Sequence, residues 1–380
     1  MKLCFLGDAS SQHLVRWVNY FSNKDHDVSL ITFRSQNNID THLVNMIKIF
    51  SIKPFSYKKR DLSRLTAIVK TSKIRNIISQ INPDLVHAHN FSAYGSLTSF
   101  VNFHPVIVSA WGSDILLPDS KSKIQEYFIK KAVKNADLLH CDGNKTESVL
   151  NKFDAGKNKK TVQISFGIDV EFFNQNKKDK NYFIKYGFAN NDPVILNLRG
   201  LRYELYGAKS LLHAIPEIVR EIPNARFLFV GEGLLKDKFI KYAEEKNLSR
   251  NIIFTGFLKS DELAVCMASS DIYVSTSISD SGIASSTAEA MASNIPVIVT
   301  DDLDNRMWVK DECNGYLIPP KNSKILAEKI VNLCLDKSLR EEFGKRNRQI
   351  ICEKNNVNIE MAKMEKIYEE LVTKRNNGAL

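Results

Sequence analysis

One segment of the chain combines small residues with a single glutamate at a spacing that suits a nucleotide. It runs from Ser275 to Thr300, where a Ser/Gly turn opens a predicted helix carrying Glu289. Backbone N–H groups at such a helix start, together with the helix dipole, favour a phosphate anion. A carboxylate one or two turns into the helix can accept hydrogen bonds from a ribose diol. The pattern predicts a nucleotide-sugar site in an α/β domain, although a purely structural helix start also fits it.

This segment resembles the nucleotide-binding stretch of glycosyltransferase family 4, the retaining enzymes of GT-B architecture. In that family a Glu, seven residues and a second Glu lead into an EAMA sequence and an apolar PVI strand. Residues 289–292 and 296–298 match, but Ser281 replaces the first Glu, and Asp280 is the nearest carboxylate. The resemblance implies that Glu289 binds the donor ribose. The implied donor site has Asp280 as a catalytic candidate and binding residues Ser281, Gly282, Ile283 and Glu289.

The resemblance also implies cations that bind the donor diphosphate. The family carries an Arg and a Lys where this chain has residues 197–200 and 206–209. Arginine offers a fork to two phosphate oxygens, lysine a point charge, and both would stabilise the leaving diphosphate. We take Arg199 as the catalytic cation, Arg202 as the second choice and Lys209 as a third. Solvated loop charges are the alternative for each.

Two further stretches resemble the floor of the family's nucleotide site. Gly231 and Gly233 form a GxG turn after a predicted strand, and residues 254–257 resemble the FxGxV stretch before the base-binding loop. A GxG turn alone is weak evidence, because a turn that needs positive φ explains it equally well. We assign Gly231, Gly233 and Phe257 to the nucleotide site.

The first half of the chain offers candidates for the acceptor side. Residues 111–114 resemble the family's HGxD-like turn, with Trp111 in the place of the His. An indole donates one hydrogen bond and cannot shuttle protons. Asp114 is therefore the catalytic candidate, either holding an acceptor hydroxyl or organising the turn. His89, at a strand end, is expected to face the cleft, and residues 7–13 to form one of its walls.

The elements that position these residues are apolar strands alternating with amphipathic helices, a rhythm typical of parallel sheets. The chain has 380 residues, which is more than a single hydrophobic core usually organises. The alternation of strands and helices breaks at the polar stretch 174–185. We predict an α/β fold of two facing Rossmann-like domains with a cleft between them (GT-B) and a helical C-terminus. The predicted parts are an acceptor-binding domain at 1–175, a nucleotide-sugar-binding domain at 176–357, and a helix at 358–380 that crosses back to the first domain.

Composition and hydropathy indicate the cellular location of the protein. No apolar run approaches the ~20 residues that span a bilayer, and the first residues read as a β-strand rather than an export signal. The six cysteines include no CxxC pair, which favours reduced thiols. We therefore expect a cytoplasmic protein.

Basic charge is concentrated in one stretch of a chain whose formal net charge is +10. Between residues 51 and 80 there are eight basic residues and one acid, and Phe50, Phe55 and Tyr57 are interleaved with them. Basic and aromatic residues together suit an anionic lipid surface. Residues 53–75 thus predict docking at the inner face of the plasma membrane, with no nucleic acid partner. A solvated helix face explains the charge equally well.

These observations converge on a retaining glycosyltransferase. We predict that it moves a hexosyl or N-acetylhexosaminyl group from a nucleotide-sugar, with a UDP-sugar favoured. The expected acceptor is a saccharide or lipid-linked acceptor in polysaccharide or lipopolysaccharide synthesis. We expect neither cofactor nor metal, because no DxD motif or His/carboxylate cluster sits by the donor helix. The alternatives are a nucleotide-sugar 2-epimerase of the same architecture and a two-lobed sugar-binding protein; a dehydrogenase is disfavoured because no GxGxxG follows the first strand.

Overall fold

The structure is a computed structural model that describes residues 1–35, 43, 47–52, 63–116, 123–154, 160–302 and 304–379. Within these, it describes only the backbone of residues 63–70, 113 and 123–125. Two compact units make up the chain: unit 1 contains Met1–Phe166 and Asn358–Leu380, and unit 2 contains Gly167–Val357. Most of the basic stretch 53–75 lies outside the described residues.

Unit 1 is built on a seven-stranded sheet in which every pairing is parallel. Its strands are β1 (Lys2–Leu6), β2 (Asp27–Thr32), β3 (Lys48–Ser51), β4 (Leu85–His89), β5 (Val106–Ser109), β6 (Leu138–Cys141) and β7 (Thr161–Gln163). The spatial order is β3-β2-β1-β4-β5-β6-β7, so the order reverses between β1 and β4. Side chains on both faces of the central strands are buried, as is usual for parallel sheets covered by helices.

Helices connect the strands of unit 1. The first helix shows why they form: Leu14, Trp17, Val18 and Phe21 repeat at helical spacing and are all buried on one face. The helices are α1 (Gln12–Ser22), α2 (Ser63–Ile81), α3 (Ser96–Thr98), α4 (Ser113–Leu116), α5 (Lys123–Asn135) and α6 (Asn144–Asp154).

Unit 2 repeats this plan with six parallel strands. They are β8 (Val194–Asn197), β9 (Arg226–Val230), β10 (Ile252–Gly256), β11 (Ile272–Ser275), β12 (Val297–Thr300) and β13 (Gly315–Ile318). The order β10-β9-β8-β11-β12-β13 is that of a doubly wound fold, with its reversal between β8 and β11. The helices are α7 (Ala208–Glu221), α8 (Lys236–Glu245), α9 (Ser260–Ser269), α10 (Ser285–Ala292), α11 (Ser323–Leu335) and α12 (Lys337–Lys354).

The last helix, α13 (Val357–Asn376), belongs to unit 1 from Asn358 onward. Tyr368 is fully buried there and bonds His87, while Arg375 donates to the carbonyl oxygens of Pro83 and Asp84 at 3.1 and 2.9 Å. These contacts tie α13 to the sheet that begins the chain.

The structure differs from the sequence-based boundaries in three places. The units divide at Phe166/Gly167 rather than at 175/176, because Ile168, Val170 and Phe173 pack into the core of unit 2. A strand predicted from the sequence at 45–49 overlaps β3 at Lys48–Ser51, with residues 45 and 46 outside the described residues, and the edge strand β7 was not anticipated. Among the described residues, no helix is long and apolar enough to span a membrane.

Candidate active site

The reversal point of the unit 2 sheet brings Arg199 and Asp280 together. Arg199 follows β8 and Asp280 follows β11, and in doubly wound sheets ligands bind at the carboxyl ends of the strands where the order reverses. The Arg199 Nη2 donates to Asp280 Oδ1 at 2.5 Å and to Ser277 Oγ at 3.3 Å. The side chains are only 15% and 9% exposed. Two residues assigned separately from the sequence thus form one ion pair.

Local electrostatics keep the Arg199 guanidinium charged. Burial lowers the pKa of Arg199, but the charge and hydrogen bond of Asp280, together with Tyr273 and Tyr206, outweigh burial, and the pKa lies above its usual value. The guanidinium also lies over the Tyr206 ring, 4.9 Å from its centroid. The arrangement presents a fixed cation to any anion that can replace Asp280.

Glycines allow the loops after β8, β9 and β11 to meet at this edge. Gly207 has a φ of +74°, and a Cβ there would lie 1.9 Å from the carbonyl oxygen of Thr276. A Cβ on Gly233 would lie 2.1 Å from the carbonyl carbon of Leu201. Gly231 has a φ of +118°, and its N–H donates to Gly256 O at 2.8 Å. The GxG turn is therefore required for backbone packing around Arg199.

The helix α10 carries the predicted ribose ligand. It begins after Ala284, which supplies no side-chain cap, and its first turn contains no acidic residue. Glu289 lies in the second turn with 5% of its surface exposed. Tyr273, on β11, donates to Ser286 Oγ at 2.7 Å and so fixes the helix start against the sheet. An uncapped helix start beside a cation is suited to a diphosphate.

The sequence-based reading missed Asp304. This fully buried carboxylate accepts a hydrogen bond from the Gly282 N–H at 2.9 Å and so shapes the donor turn. Asp302 Oδ1 in turn accepts from the N–H groups of Asp304 and Asn305 at 3.1 and 3.0 Å. The sequence does contain a sign of this residue, because residues 302–304 form an Asp-x-Asp motif after β12. The prediction that no DxD motif lies near the donor helix was therefore wrong.

The remaining donor-site predictions lie at the same edge of the sheet. Ser281 and Gly282 are buried in the turn before α10, with Ile283 partly buried. Arg202 and Lys209 are exposed, and no described contact joins either side chain to Arg199 or Asp280. Phe257 follows β10 and is 76% exposed. The ion pair and α10 thus lie together, whereas Arg202, Lys209 and Phe257 are exposed at the periphery of this edge.

At the corresponding edge of unit 1, Asp114 organises a turn. Its Oδ2 accepts from Phe91 N at 2.7 Å and its Oδ1 from Trp111 N at 2.9 Å. Trp111 Nε1 donates to His89 Nδ1 at 3.3 Å. His89 is buried, so the expectation that it faces a cleft was wrong. Asp114 thus organises the turn, and its contact with an acceptor hydroxyl stays a prediction.

A chain of hydrogen bonds crosses the sheet of unit 1. Because a carbonyl only accepts, His140 Nε2 donates to Ile164 O at 2.8 Å, and its Nδ1 accepts from Ser109 Oγ at 2.7 Å. Ser109 therefore accepts from His87 Nε2 at 2.6 Å, and His87 Nδ1 accepts from the Tyr368 hydroxyl at 2.5 Å. Burial lowers the pKa of His140 to about 4 and that of His87 well below its usual value. This series of hydrogen bonds requires His87 and His140 to be neutral.

The predicted wall at residues 7–13 combines packing with one ion pair. His13 is enclosed by Trp111 and Phe166, with ring centroids 5.5 and 5.2 Å away, and burial together with Arg16 lowers its pKa to about 3. Asp8 binds Arg34 through both carboxylate oxygens, at 2.7 and 2.6 Å. Across the described residues, no three His, Cys, Asp or Glu side chains are grouped so as to hold a metal ion.

Comparison with known proteins identifies the class. The sequence profile of glycosyl transferases group 1 matches residues 178–350, within unit 2, and that of glycosyl transferase 4-like proteins matches residues 2–143, within unit 1. The chain belongs to the group 1 glycosyltransferases and is therefore a glycosyltransferase.

Individual relatives add detail. The chain is 37% identical over 146 residues to the poly(ribitol-phosphate) alpha-N-acetylglucosaminyltransferase of Staphylococcus aureus. The aligned region covers 38% of this chain and 29% of that protein. The chain is 30% identical over 163 residues to the poly(glycerol-phosphate) alpha-glucosyltransferase of Bacillus subtilis, covering 40% and 24%. An uncharacterised glycosyltransferase of Methanocaldococcus jannaschii is 26% identical over 92% of this chain and 91% of its own. The chain spans under a third of the first two relatives.

Two solved structures share the fold. A sucrose-phosphate synthase from Thermosynechococcus elongatus has a TM-score of 0.82 at 17% identity, covering 98% of this chain and 99% of its own. Anabaena HepE, in complex with UDP, has a TM-score of 0.80 at 18% identity, covering 98% and 100%.

Proposed function

We propose that this glycosyltransferase moves a sugar from a UDP-sugar to a saccharide or polymer acceptor of the cell envelope, with retention at the anomeric carbon. The observation that carries the proposal is the Arg199–Asp280 pair at the strand-order reversal of unit 2, next to the start of α10. The UDP complex of a protein with the same fold supports the choice of donor. The names of the S. aureus and B. subtilis relatives support a polyol-phosphate polymer as acceptor.

The donor would be held by unit 2. Glu289 would accept hydrogen bonds from the ribose hydroxyls, and the start of α10 would receive the diphosphate. Arg199 would exchange its bond with Asp280 for a bond with a phosphate oxygen, so the cation is in position before the donor arrives. Such preorganised charge stabilises the negative charge that develops on the leaving diphosphate.

Retention without a protein nucleophile fits a front-face substitution. The leaving phosphate oxygen would take the proton of the acceptor hydroxyl while the glycosidic bond breaks. Asp280, once displaced from Arg199, would lie beside the donor sugar and could hold one of its hydroxyls. In this proposal Arg199 and the helix start supply the electrostatic stabilisation, and no bound metal or cofactor takes part.

The acceptor would be bound by unit 1. The Asp8–Arg34 pair and the turn held by Asp114 lie at the carboxyl ends of β1, β2 and β5, where acceptor groups are expected. The charge of +10 favours an anionic acceptor or a lipid-linked acceptor at an anionic membrane. We place the reaction in the cytoplasm, at the inner face of the plasma membrane.

The test is release of free UDP from a panel of UDP- and GDP-sugars, with and without acceptor. We expect UDP release from a UDP-sugar only when poly(ribitol-phosphate) or poly(glycerol-phosphate) is present, and undiminished release in excess chelator. Conversion of the donor to its C2 epimer without acceptor would show an epimerase instead. Tight UDP-sugar binding with no turnover on any acceptor would indicate a sugar-binding protein.

A further inference from the structure

A cavity of unit 2 lies at the amino ends of the strands, away from Arg199. It has a volume of about 270 Å³ and is bounded by the residues that precede β11 and β12 and by one face of α12. Because β11 and β12 are four residues long, roughly 13 Å of sheet separates this edge from the carboxyl ends. The side chains used in the argument below are Lys178, Asp271, Ser293, Lys337, Arg340 and Lys345.

The walls of the cavity are held by close packing. A Cβ on Gly344 would lie 1.9 Å from the carbonyl oxygen of Asn294, so α12 approaches the turn after α10 as closely as backbone allows. Asn347 Nδ2 donates to Ile295 O at 3.0 Å, and Arg348 Nη1 donates to Ala292 O at 2.9 Å. The cavity is therefore a fixed feature of the packed unit.

The cavity carries an excess of positive charge. Four cations and two carboxylates line it. Asp271 is used by the sheet, since its Oδ2 accepts from Val194 N at 2.9 Å and its Oδ1 lies 4.0 Å from Arg340 Nε. Glu341 lies 3.8 Å from Lys337. In the part of the chain that the structure describes, Lys178 and Lys345 form no ion pair.

A buried hydroxyl in the lining has no partner. Ser293 is 0% exposed, and its Oγ makes no hydrogen bond. A buried hydroxyl without a partner is destabilising, and such groups in native structures call for an explanation. Ser293, with its unpartnered hydroxyl, is thus one of the residues that line a cavity whose charge attracts anions.

We propose that this cavity binds a phosphate group at a site separate from the donor site. Lys178 and Lys345 would supply the charge, and Ser293 would donate a hydrogen bond. A volume of about 270 Å³ lies just below the usual range for small-molecule sites, so it admits a phosphate with a few attached carbons rather than a nucleotide. The phosphate could come from a small phosphomonoester or from one phosphodiester unit of a polymer.

The test is calorimetric titration of the full chain with inorganic phosphate while the donor site is saturated with UDP. We expect phosphate binding that Lys178→Gln/Lys345→Gln weakens by about tenfold or more. The control Lys238→Gln/Lys246→Gln removes two exposed lysines of unit 2 far from the cavity in sequence and should bind phosphate like the unaltered protein. Both variants should bind UDP normally.

Ser293→Ala separates a binding role from a packing defect. We expect it to weaken phosphate binding without lowering the melting temperature in phosphate-free buffer. Phosphate binding that survives the double lysine variant, or that disappears once UDP saturates the protein, would overturn the proposal. Titration with glycerol phosphate and with glycerophosphoglycerol then identifies the source: tighter binding of the monoester indicates a metabolite, and tighter binding of the diester indicates a polymer.

Discussion

Arg199 and Asp280 form an ion pair of 2.5 Å that joins the loops after β8 and β11. Ile278 N also donates to Leu205 O at 3.0 Å, and Thr276 Oγ1 donates to Gly207 O at 2.6 Å, so the two loops are bound together along their length. The pair therefore sits in a rigid setting. The cation that we assign to the diphosphate is balanced by the carboxylate of Asp280.

Arg199→Lys should lower turnover more than it weakens donor binding. A lysine keeps the charge but loses the fork, and the fork matters most when charge develops on the leaving diphosphate. The measurement is kcat and KM for UDP release. Arg202→Lys is the matched control, because Arg202 is exposed and makes no described contact with Asp280. Loss of turnover in the control and none in Arg199→Lys would show that the assignment belongs to Arg202.

Asp280→Asn should destabilise the free protein by about 3 kcal/mol, because it leaves a largely buried cation without its charge partner. It should also tighten UDP binding and enlarge the rise in melting temperature that UDP produces, since the diphosphate no longer competes with Asp280. Calorimetry and thermal melts with UDP measure both effects. Asp301→Asn, which breaks an exposed pair with Arg306, should change neither. Weaker UDP binding by Asp280→Asn would mean that Asp280 organises the site.

Glu289→Ala should abolish detectable donor binding while the fold stays intact. Removal of a carboxylate that binds both ribose hydroxyls should cost about 2–4 kcal/mol of binding free energy. Glu289→Gln tests the charge at nearly constant volume, and Glu244→Ala, on exposed α8 surface, is the control. If calorimetry shows Glu289→Ala binding UDP like the unaltered protein, α10 does not hold the ribose.

Unit 1 should lose stability as the pH falls from 6.5 to 5. Burial lowers the pKa of His140 to about 4 and of His13 to about 3, whereas both titrate near 6.5 when unfolded. Above 6.5 both states are neutral, so stability is constant. Below it the unfolded chain binds protons that the folded chain excludes, and each histidine costs roughly 2 kcal/mol over this window. Urea midpoints across the window measure the effect, and constant midpoints would contradict it.

The basic stretch 53–75 should bind the protein to anionic vesicles. Each Lys or Arg near the surface adds about 1 kcal/mol, and the attraction should fall as salt rises. Co-sedimentation should show binding to anionic vesicles and none to neutral ones, lost when Lys58, Lys59, Arg60 and Arg64 become Gln. Changing exposed lysines of α8 to Gln is the control. Equal pelleting of both variants, or no pelleting at low salt, would make a soluble acceptor the better proposal.

Local patterns in the sequence determined the fold class and the position of helix α10. The alternation of apolar strands with helices such as Gln12–Ser22 predicted two parallel sheets, since side-chain periodicity reports which face is buried. Glu289 and the EAMA sequence placed α10. The ends of elements, by contrast, depend on contacts with distant residues. The polar stretch 174–185 interrupts the apolar pattern, yet Tyr182 and Phe183 within it are part of the unit 2 core.

Only the tertiary structure decided which charged groups meet. The sequence could not show that Arg199 pairs with Asp280, or that Asp304 accepts from Gly282, because each pair comes from loops at the ends of different strands. The direction of every bond from Tyr368 to Ile164 also requires three strands and α13 to be in place. Residue type and spacing determine the local secondary structure. Ion pairs and buried polar networks depend on strand order, because strand order brings together residues that are far apart along the chain.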